Sequence, residues 1–332
     1  MDLVMKYVYT VYKENSFSQA ARKLFISQSA ISAMIRKAEK ELGCPIFDRS
    51  TIPFTLTKEG QFYIEHIEKI MSLEKDIRQY FDDRSNLKTG TLRIGSSSFY
   101  SAYFLAPVFG AFQKKYPGVR VEIREGDGKD LLNDIADGSI DFLFGALSSA
   151  PENSVTENVL FSYEHLVLAV PKEFPVNGKL KPYRIPAEAV RSGRFTSREF
   201  APVPLLELKD CPFLSLTKEG SDLYQRTIDI CRNAGFKPHI TQQLSQIMTT
   251  YFLAAAGGGA ALIRSTLLSL VREQPGLIYY KIGDPLARRP VYITYNRERY
   301  ISTAMSAFLT FSTSFAMRYR FINPSPPDHS PS

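Results

Sequence analysis

Cysteine and histidine are scarce in this sequence, with three and four copies among 332 residues. Cys44, Cys211 and Cys231 are odd in number, lie far apart and form no CxxC pair, which argues against a disulfide framework and a zinc site. Because the histidines are scattered too, we expect neither a metal nor another cofactor. A redox switch between Cys211 and Cys231 is the alternative to ordinary thiols in a reducing compartment.

Long apolar runs are missing as well. The longest uncharged apolar stretch, YFLAAAGGGAALI, is shorter than the roughly 20 residues that span a bilayer, and Gly257, Gly258 and Gly259 would weaken a helix there. The N-terminus carries Asp2 and lacks the basic start and the apolar middle of a secretion signal. These features predict a cytoplasmic protein without a membrane partner.

Motifs of common enzyme classes are also absent. The sequence has no GxSxG elbow, no P-loop, no GxGxxG after a predicted strand and no histidine near a credible nucleophile. We therefore expect no enzymatic activity. The net charge of +7 favours a polyanionic partner without identifying one, since excess Lys and Arg also solubilise a surface. At roughly 100 to 200 residues per domain, the length predicts two or three domains.

Two short amphipathic helices are predicted near the N-terminus. Ser16 is the candidate N-cap of a helix over about 17–24, and Ser27 is the candidate N-cap of a second helix. Small side chains at Ala20 and Ala21 would let the two helices cross closely. The apolar positions of the second helix follow the spacing of one buried face: Ala30, Ile31, Met34, Ile35, Ala38 and Leu42. The few residues between the helices match a helix-turn-helix connection.

A wing and a long helix are predicted next. The segment CPIFDRSTIPFTLTKEG is rich in β-branched residues broken by Pro45 and Pro53, which predicts a short hairpin. Thr57 with Gly60 opens a helix that extends to about Arg84. Its apolar side chains recur at spacings of three, four and seven: Tyr63, Ile67, Ile70, Ile77 and Phe81. The stripe favours a partner helix, and packing against its own chain is the alternative.

From Gly90 onwards, predicted strands and helices alternate, which is typical of parallel α/β units. The segment from Pro171 to Phe213 is rich in Pro and basic residues. It predicts a solvated insertion, with a lid over a cleft as the alternative. The tail, residues 321–332, has the composition of a disordered end.

The sequence resembles the LysR-type transcriptional regulators over nearly its whole length, from Met1 to about Ala316. The stretch SFSQAARKLFISQSAISAMIRKAEKELGCPIFDR, followed by LTKEG, has the family's order of Ala-Ala, Leu, Ser-Gln-Ser, Ile-Ser, Ile, Glu, Leu-Gly, Phe and Arg. The later segments LRIG, KKYPGVRVEI, NAGFKP and AAAGGGAALI fall where the family has comparable segments.

The resemblance implies a multidomain fold. An all-α winged helix-turn-helix DNA-binding domain is expected at 1–60, a linker and dimerisation helix at 57–88, and an α/β effector-binding domain at 90–320. This last domain would have two lobes, like a periplasmic binding protein. We place the lobes at about 90–163 with 266–320, and at about 164–265. The implied partners are double-stranded DNA, a small-molecule effector, further copies of the chain in a homodimer or homotetramer, and RNA polymerase.

Side chains opposite the buried face of the second helix are candidates for reading DNA in the major groove. Gln can pair with adenine, Ser can touch bases or phosphates, and Arg and Lys suit phosphates. The expected DNA-binding residues are Gln28, Ser29, Ser32, Ala33, Arg36, Lys37 and, at the wing, Arg49. Ala33 stands where many relatives carry a longer polar side chain. Residues 1–60 hold nine basic and six acidic side chains, so a dimer reading two half-sites would supply the affinity.

Candidate effector-binding residues lie where predicted strands end. In open α/β sheets, ligands bind beyond the C-terminal ends of strands, often near helix N-termini that favour anions. The expected residues are Ser96, Ser97, Ser98, Gly145, Ala146, Ser215, Thr217, Lys218 and Gln246. The serines could instead only cap helices. Their polar character predicts a small anion, such as a carboxylate metabolite.

The sequence thus predicts a sequence-specific DNA-binding transcriptional regulator that responds to a small effector. A redox-responsive regulator, an enzyme and a solute-binding module are the rival hypotheses. The missing catalytic motifs oppose the enzyme. The missing export signal and the N-terminal helix-turn-helix oppose the solute-binding module.

Overall fold

The chain folds into two compact units, residues 1–85 and 86–332. The computed structural model describes residues 2–50, 53–85, 90–146, 155–217 and 222–318. The predicted tail at 321–332 and the candidate residue Lys218 lie outside the described residues.

The first unit contains helices and a small hairpin. Its elements are α1 Leu3–Glu14, α2 Phe17–Lys23, α3 Gln28–Leu42, β1 Phe47–Asp48, β2 Thr55–Leu56 and α4 Lys58–Ser85. The predicted caps of α2 and α3 are confirmed. Ser16 Oγ accepts a hydrogen bond from Gln19 N at 3.3 Å, and Ser27 Oγ accepts one from Ala30 N at 3.1 Å. Helix α1, which was not predicted from the sequence, packs into the core through Val8.

The core of the first unit confirms most of the predicted buried face of α3. The buried side chains that the sequence predicted here are Ala20, Ala21, Ile31, Ile35 and Ala38. Met34 and Leu42 were expected on the same face, but both are exposed. At about 100° per residue, Met34 projects roughly 60° away from Ile31, at the edge of the stripe. Leu42 is in the last turn, where the helix ends at Gly43.

Helix α4 changes character along its length. Ile64 and Ile67 in its first half are buried in the core of the first unit. Three side chains in its second half are exposed, with Leu73 at 61%, Ile77 at 59% and Phe81 at 63%. The first half therefore packs on its own chain, as the alternative interpretation of the stripe expected. The partner helix expected for the exposed second half stays a prediction.

The second unit is built on one mixed sheet flanked by helices. Its strands are β3 Gly90–Ser96, β4 Val119–Glu125, β5 Phe142–Gly145, β6 Thr156–Pro171, β7 Arg184–Ile185, β8 Pro212–Leu216, β9 His239–Leu244, β10 Ala260–Arg264, β11 Leu277–Lys281 and β12 Arg288–Asn296. Its helices are α5 Ser98–Tyr100, α6 Ala106–Lys115, α7 Gly128–Asp137, α8 Val176–Lys179, α9 Ala187–Arg191, α10 Asp222–Asn233, α11 Ile247–Ala255, α12 Leu267–Leu270 and α13 Thr303–Arg318.

The sheet has two parallel parts joined by antiparallel strands. The strand order is β4-β3-β5-β12-β6-β10-β8-β9, and β11 pairs with both β6 and β7. Strands β3, β4 and β5 run parallel in one part, and β8, β9 and β10 run parallel in the other. The long strand β6 pairs first with β12 and then with β10 and β11. It therefore runs through both lobes of the predicted two-lobed α/β fold.

Strand β11 corrects the expected boundary between the lobes. Residues 266–287 were assigned to the first lobe, but β11 pairs with β6 from Leu277 opposite Pro171 to Lys281 opposite Val167. This places β11 in the sheet of the second lobe. The chain returns to the first lobe only with β12, because a strand belongs where its hydrogen-bonding partners lie.

The segment 171–213 is a packed part of the second lobe, contrary to the expectation of a solvated insertion. Strand β7 within it pairs with β11, and Asn177 Nδ2 donates to Pro171 O at 2.7 Å. Its buried apolar side chains include Leu180, Ile185, Val190, Phe195, Val203, Leu205 and Leu208. The Pro-rich composition suggested solvent exposure, but short helices and turns bury the apolar side chains between those prolines.

Among the helices that the structure describes, none is both long enough and apolar enough to cross a membrane.

Candidate DNA-binding and effector sites

The predicted DNA-reading side chains share the outer face of α3. Gln28, Ser29 and Ala33 are exposed, as are Arg36 and Lys37, while Ser32 is half-buried. The N-cap Ser27 lies 3.0 Å from Ser29, measured between the hydroxyl oxygens. The structure therefore brings the residues predicted on α3 together on one polar surface at the start and middle of the helix.

Glu39 ties the wing to α3, a role that the sequence analysis did not predict. Its Oε1 accepts hydrogen bonds from Ile46 N at 2.9 Å and from Phe47 N at 3.2 Å, and its Oε2 accepts one from Arg49 Nη2 at 2.9 Å. The Arg49 guanidinium also lies 5.3 Å from the centroid of the Phe17 ring. Arg49 at the wing is thus paired with Glu39 on α3. The sequence offered one sign that Glu39 is special: it is the first acid after Glu14, and the charged residues between the two are all basic.

The wing is fixed to the rest of the first unit by aromatic and polar contacts. The rings of Phe17, Phe47 and Phe54 pack edge to face, with centroids 5.0 to 5.6 Å apart. Thr57 Oγ1 donates to Pro45 O at 2.6 Å and accepts from Gly60 N at 2.9 Å, which starts α4 as predicted. A side-chain carbon at Gly60 would overlap the backbone between the wing and α3, so only glycine fits there.

The serines after β3 have different surroundings. Ser96 Oγ donates to Phe144 O at 2.8 Å, which joins the ends of β3 and β5. Ser97 precedes α5 but makes no side-chain cap, and its buried hydroxyl has no partner among the described residues. Ser98 is half-buried. Helix α5 continues through a π-helical turn, Ser101–Leu105, into α6, and such turns are frequent at functional sites.

The remaining candidate residues lie at other strand ends. Ser215 on β8 is buried, and its hydroxyl has no partner in the part of the chain that the structure describes. Thr217 N donates to Leu244 O at 3.0 Å, and Gln246 is exposed at the start of α11. Gly145 precedes Ala146, which is half-buried.

Gly145 also makes room for the ring of Tyr100. A side-chain carbon at Gly145 would lie 3.3 Å from Tyr100 Cδ2, so glycine permits this close approach.

A buried polar cluster, not predicted from the sequence, joins the two lobes. Arg289 on β12 is fully buried. Its Nε donates to Glu164 Oε2 at 2.7 Å, and its Nη2 donates to Tyr100 Oη at 3.0 Å. Its Nη1 donates to Asp222 Oδ1. Tyr100 Oη donates to the same Glu164 oxygen at 3.0 Å. We call Tyr100, Glu164, Asp222, Arg226, Arg264, Thr266 and Arg289 the Arg289 cluster.

The acids of the Arg289 cluster stay ionised despite their burial. Burial opposes ionisation of Glu164, but the nearby Arg289 and Arg264 outweigh it and hold the pKa of Glu164 below its ordinary value. Asp222 behaves in the same way beside Arg289 and Arg226, so its pKa is also lowered. Burial raises the pKa of Tyr100 to about 12, so its phenol stays protonated. Charged acids and a neutral phenol are the states that these hydrogen bonds require.

The cysteines named in the redox hypothesis are poor candidates for a switch. Burial raises the pKa of the half-buried Cys211 thiol and raises that of the buried Cys231 thiol to about 12. Both thiols are therefore protonated at neutral pH. A reactive thiol needs the opposite shift, because the thiolate is the reactive form.

Comparisons with known families and proteins agree on one family. The family described as the LysR substrate binding domain matches residues 85–316, and the bacterial regulatory helix-turn-helix family of the LysR type matches residues 4–61. The transcriptional regulator YcgK of Bacillus subtilis (strain 168) is 31% identical over 315 residues, which cover 94% of each chain. A probable RuBisCO transcriptional regulator of Emiliania huxleyi is 27% identical and covers 92% of this chain and 91% of its own.

Solved structures show the same fold. Full-length BenM is similar with a TM-score of 0.56 and 24% identity, and the alignment covers 98% of this chain and 100% of BenM. CbnR, a LysR family transcriptional regulator, is similar with a TM-score of 0.60 and 18% identity, over 95% of this chain and 99% of CbnR. CbnR has also been solved in a complex with its target DNA.

Proposed function

The chain belongs to the LysR family of DNA-binding transcriptional regulators with an effector-binding domain, and we propose that it recognises a specific operator and responds to a small anionic effector. The family consists of transcriptional regulators and not of enzymes, so the helix-turn-helix and the two-lobed domain have regulatory roles. The observation that carries the proposal is the exposed polar face of α3, which presents side chains of the kinds that read DNA.

Within this proposal, Gln28, Ser29 and Ser32 read base edges, because they lie in the first turns of α3, the part of a recognition helix that enters the major groove. Arg36 and Lys37 contact phosphates farther along the helix. Ala33 lies on the same face and offers only a methyl group, which suits an apolar contact with thymine.

Arg49 is paired with Glu39, and its side chain is 39% exposed. It therefore supports the wing and still has N–H groups available for a phosphate. This dual role is part of the proposal for the DNA-binding face.

The regulator acts as a homodimer or homotetramer in this proposal. The exposed Leu73, Ile77 and Phe81 on α4 are apolar side chains that a second copy of the helix would cover. Two helix-turn-helix units would then read two half-sites, which compensates for the modest charge of each unit. A contact with RNA polymerase would complete the regulatory step.

The effector is proposed to bind between the lobes, near the ends of β3, β5 and β8. Ser97 and Ser98 come from the first lobe, together with Ala146, while Ser215 and Thr217 come from the second. Gln246 at the start of α11 is a more peripheral candidate. A ligand that contacts both lobes would favour one arrangement of them, because only differential affinity shifts a conformational equilibrium.

The test is selection of binding sites from a random duplex pool with the full-length protein. The wild type should enrich one sequence, whereas the double variant Gln28→Ala with Ser32→Ala should bind duplex DNA weakly without enriching any. Each lost base contact costs about 1–3 kcal/mol of discrimination.

The matched control is Gln225→Ala with Ser306→Ala, two exposed residues of the second unit. This control should enrich the wild-type sequence. If the α3 variant enriches the same sequence as the wild type, the assignment of the reading face fails.

A further inference from the structure

Arg264 is a buried arginine that reaches from one lobe to the other. It is the last residue of β10 in the second lobe, and only 5% of its surface is exposed. Its guanidinium carbon lies 4.3 Å from the centroid of the Phe99 ring and 4.6 Å from that of the Tyr100 ring. Both rings belong to α5 in the first lobe, so the charge of Arg264 lies where the two lobes meet.

Two nitrogens of the Arg264 guanidinium have no hydrogen-bond acceptor among the described residues. Its Nε and Nη1 are buried and have no partner among the residues that the structure describes. Glu164 Oε2 lies 3.9 Å from Nε, close enough for an ion pair but beyond hydrogen-bonding distance. That oxygen already accepts from Arg289 and Tyr100, and Glu164 Oε1 accepts from Thr266 Oγ1 at 3.3 Å. Buried donors without acceptors are costly, so these two nitrogens point to a ligand that accepts from them.

The Arg289 cluster is balanced in charge without Arg264. Two carboxylates, Glu164 and Asp222, pair with two guanidinium groups: Arg289 contacts both acids, and Arg226 Nε donates to Asp222 Oδ2 at 2.8 Å. The neighbouring His165 is neutral, because burial lowers its pKa to about 4. Arg264 is therefore an additional buried positive charge, and an anion would compensate it.

Hydroxyls without partners lie beside the aromatic rings that Arg264 contacts and on the strand next to its own. Ser97 lies two residues before Phe99, and Ser101 directly follows Tyr100; both hydroxyls are buried and without a partner in the described part of the chain. Strands β8 and β10 are parallel neighbours, with Ala261 opposite Leu214, so Ser215 lies close to the end of β10. The Ser215 hydroxyl is buried and unpaired as well. Both lobes thus contribute unpartnered buried hydroxyls on the segments that adjoin the Arg264 guanidinium.

We propose that Arg264 binds the anionic group of the effector, a carboxylate or a phosphate, together with the hydroxyls of Ser97 and Ser215. This inference rests on the proposed function and adds the residue that recognises the ligand. An anion held by Arg264 and Ser215 from the second lobe and by Ser97 from the first lobe would bridge the two lobes. Binding of that anion would therefore favour their closed arrangement.

The test follows thermal unfolding of the full-length protein with a hydrophobic dye, in titrations of sodium formate, inorganic phosphate and neutral formamide. Formate is the smallest carboxylate and can enter without matching the natural effector. We compare the wild type with Arg264→Gln and with Arg272→Gln, which removes an exposed arginine of the same lobe. This comparison cancels the general effect of ionic strength.

Formate should raise the Tm of the wild type and of Arg272→Gln by about 2–4 °C at about five times its dissociation constant. Formamide should not, and Arg264→Gln should lose the shift. Phosphate in place of formate as the stabilising anion would assign a phosphate ligand. An anion response equal in Arg264→Gln and the wild type, or no response in the wild type to either anion, would overturn the inference.

Milder variants keep the test decisive if Arg264→Gln does not fold. Arg264→Lys should keep part of the formate shift, since it retains the charge, and Ser215→Ala should reduce the shift. A full shift in Ser215→Ala together with none in Arg264→Lys would contradict a shared site. Operator selection by the wild type in the same preparation tests the proposed function separately, because it does not depend on the formate result.

Discussion

The outer face of α3 and the Arg289 cluster use polar side chains in opposite ways. On α3, Gln28, Arg36 and Lys37 are exposed and make few contacts within the chain. In the cluster, Arg289 and Glu164 are fully buried and each makes several hydrogen bonds. Water solvates the first set, which leaves it available for the proposed contact with DNA, whereas protein partners solvate Arg289 and Glu164. Substitutions on α3 should therefore change binding with little change in stability, and substitutions in the cluster should change stability first.

The largest expected effect comes from breaking the cluster. Arg289→Met would leave the buried Glu164 and Asp222 without their shared partner, and removal of one partner from a buried ion pair costs about 3–5 kcal/mol. Urea unfolding followed by circular dichroism should show this loss in the free energy of unfolding of the second unit.

Arg272→Gln, in an exposed part of the same lobe, is the control for Arg289→Met and should stay within about 0.5 kcal/mol of the wild type. A loss below about 1 kcal/mol for Arg289→Met would mean that the cluster is not held by this residue. Buried polar groups would then contribute no more to stability than exposed ones, even at the most deeply buried arginine.

Glu39 is intermediate between the exposed face of α3 and the buried Arg289 cluster, because it is a mostly buried acid within the DNA-binding unit. Glu39→Ala removes the acceptor for Ile46 N, Phe47 N and Arg49 Nη2 and should cost about 2 kcal/mol of unfolding free energy. It should also weaken specific operator binding, because the wing loses its anchor on α3. Urea unfolding and a gel-shift titration measure the two effects.

The control for Glu39 is Glu41→Ala, an exposed acid on the same helix. It should leave both the stability and the operator preference unchanged. Equal effects of the two substitutions would show that the wing does not depend on the hydrogen bonds of Glu39.

The sequence predicted best what depends on local structure. The N-caps Ser16 and Ser27 and the buried face of α3 follow from neighbouring residues. They were found correctly except at three positions of that face: the half-buried Ala30, the edge position Met34 and the terminal position Leu42. The residues on the outer face of α3 could then be predicted as well, because an amphipathic helix exposes the face opposite its buried one.

The Arg289 cluster could not be predicted in this way. Arg289 and Glu164 are 125 residues apart and meet only because β12 pairs with β6. Arg264 ends an apolar strand, where its charge gave no sign of what it would contact. The segment 171–213 was misjudged for a related reason, since its buried side chains have no regular spacing and only tertiary packing reveals them.

The smallest expected effect concerns Lys37, which pairs with Glu41 at 3.9 Å while the side chains are 79% and 68% exposed. Such an i,i+4 surface pair contributes only about 0.3–0.5 kcal/mol, so Lys37→Ala should hardly change stability. If Lys37 contacts a phosphate, its loss should weaken binding to operator and random duplex alike and reduce the salt slope by about 1. Binding measured over a salt series decides this, with Glu41→Ala as the control that should keep the slope. An unchanged slope for Lys37→Ala would place Lys37 off the DNA backbone and shorten the reading face to the first turns of α3.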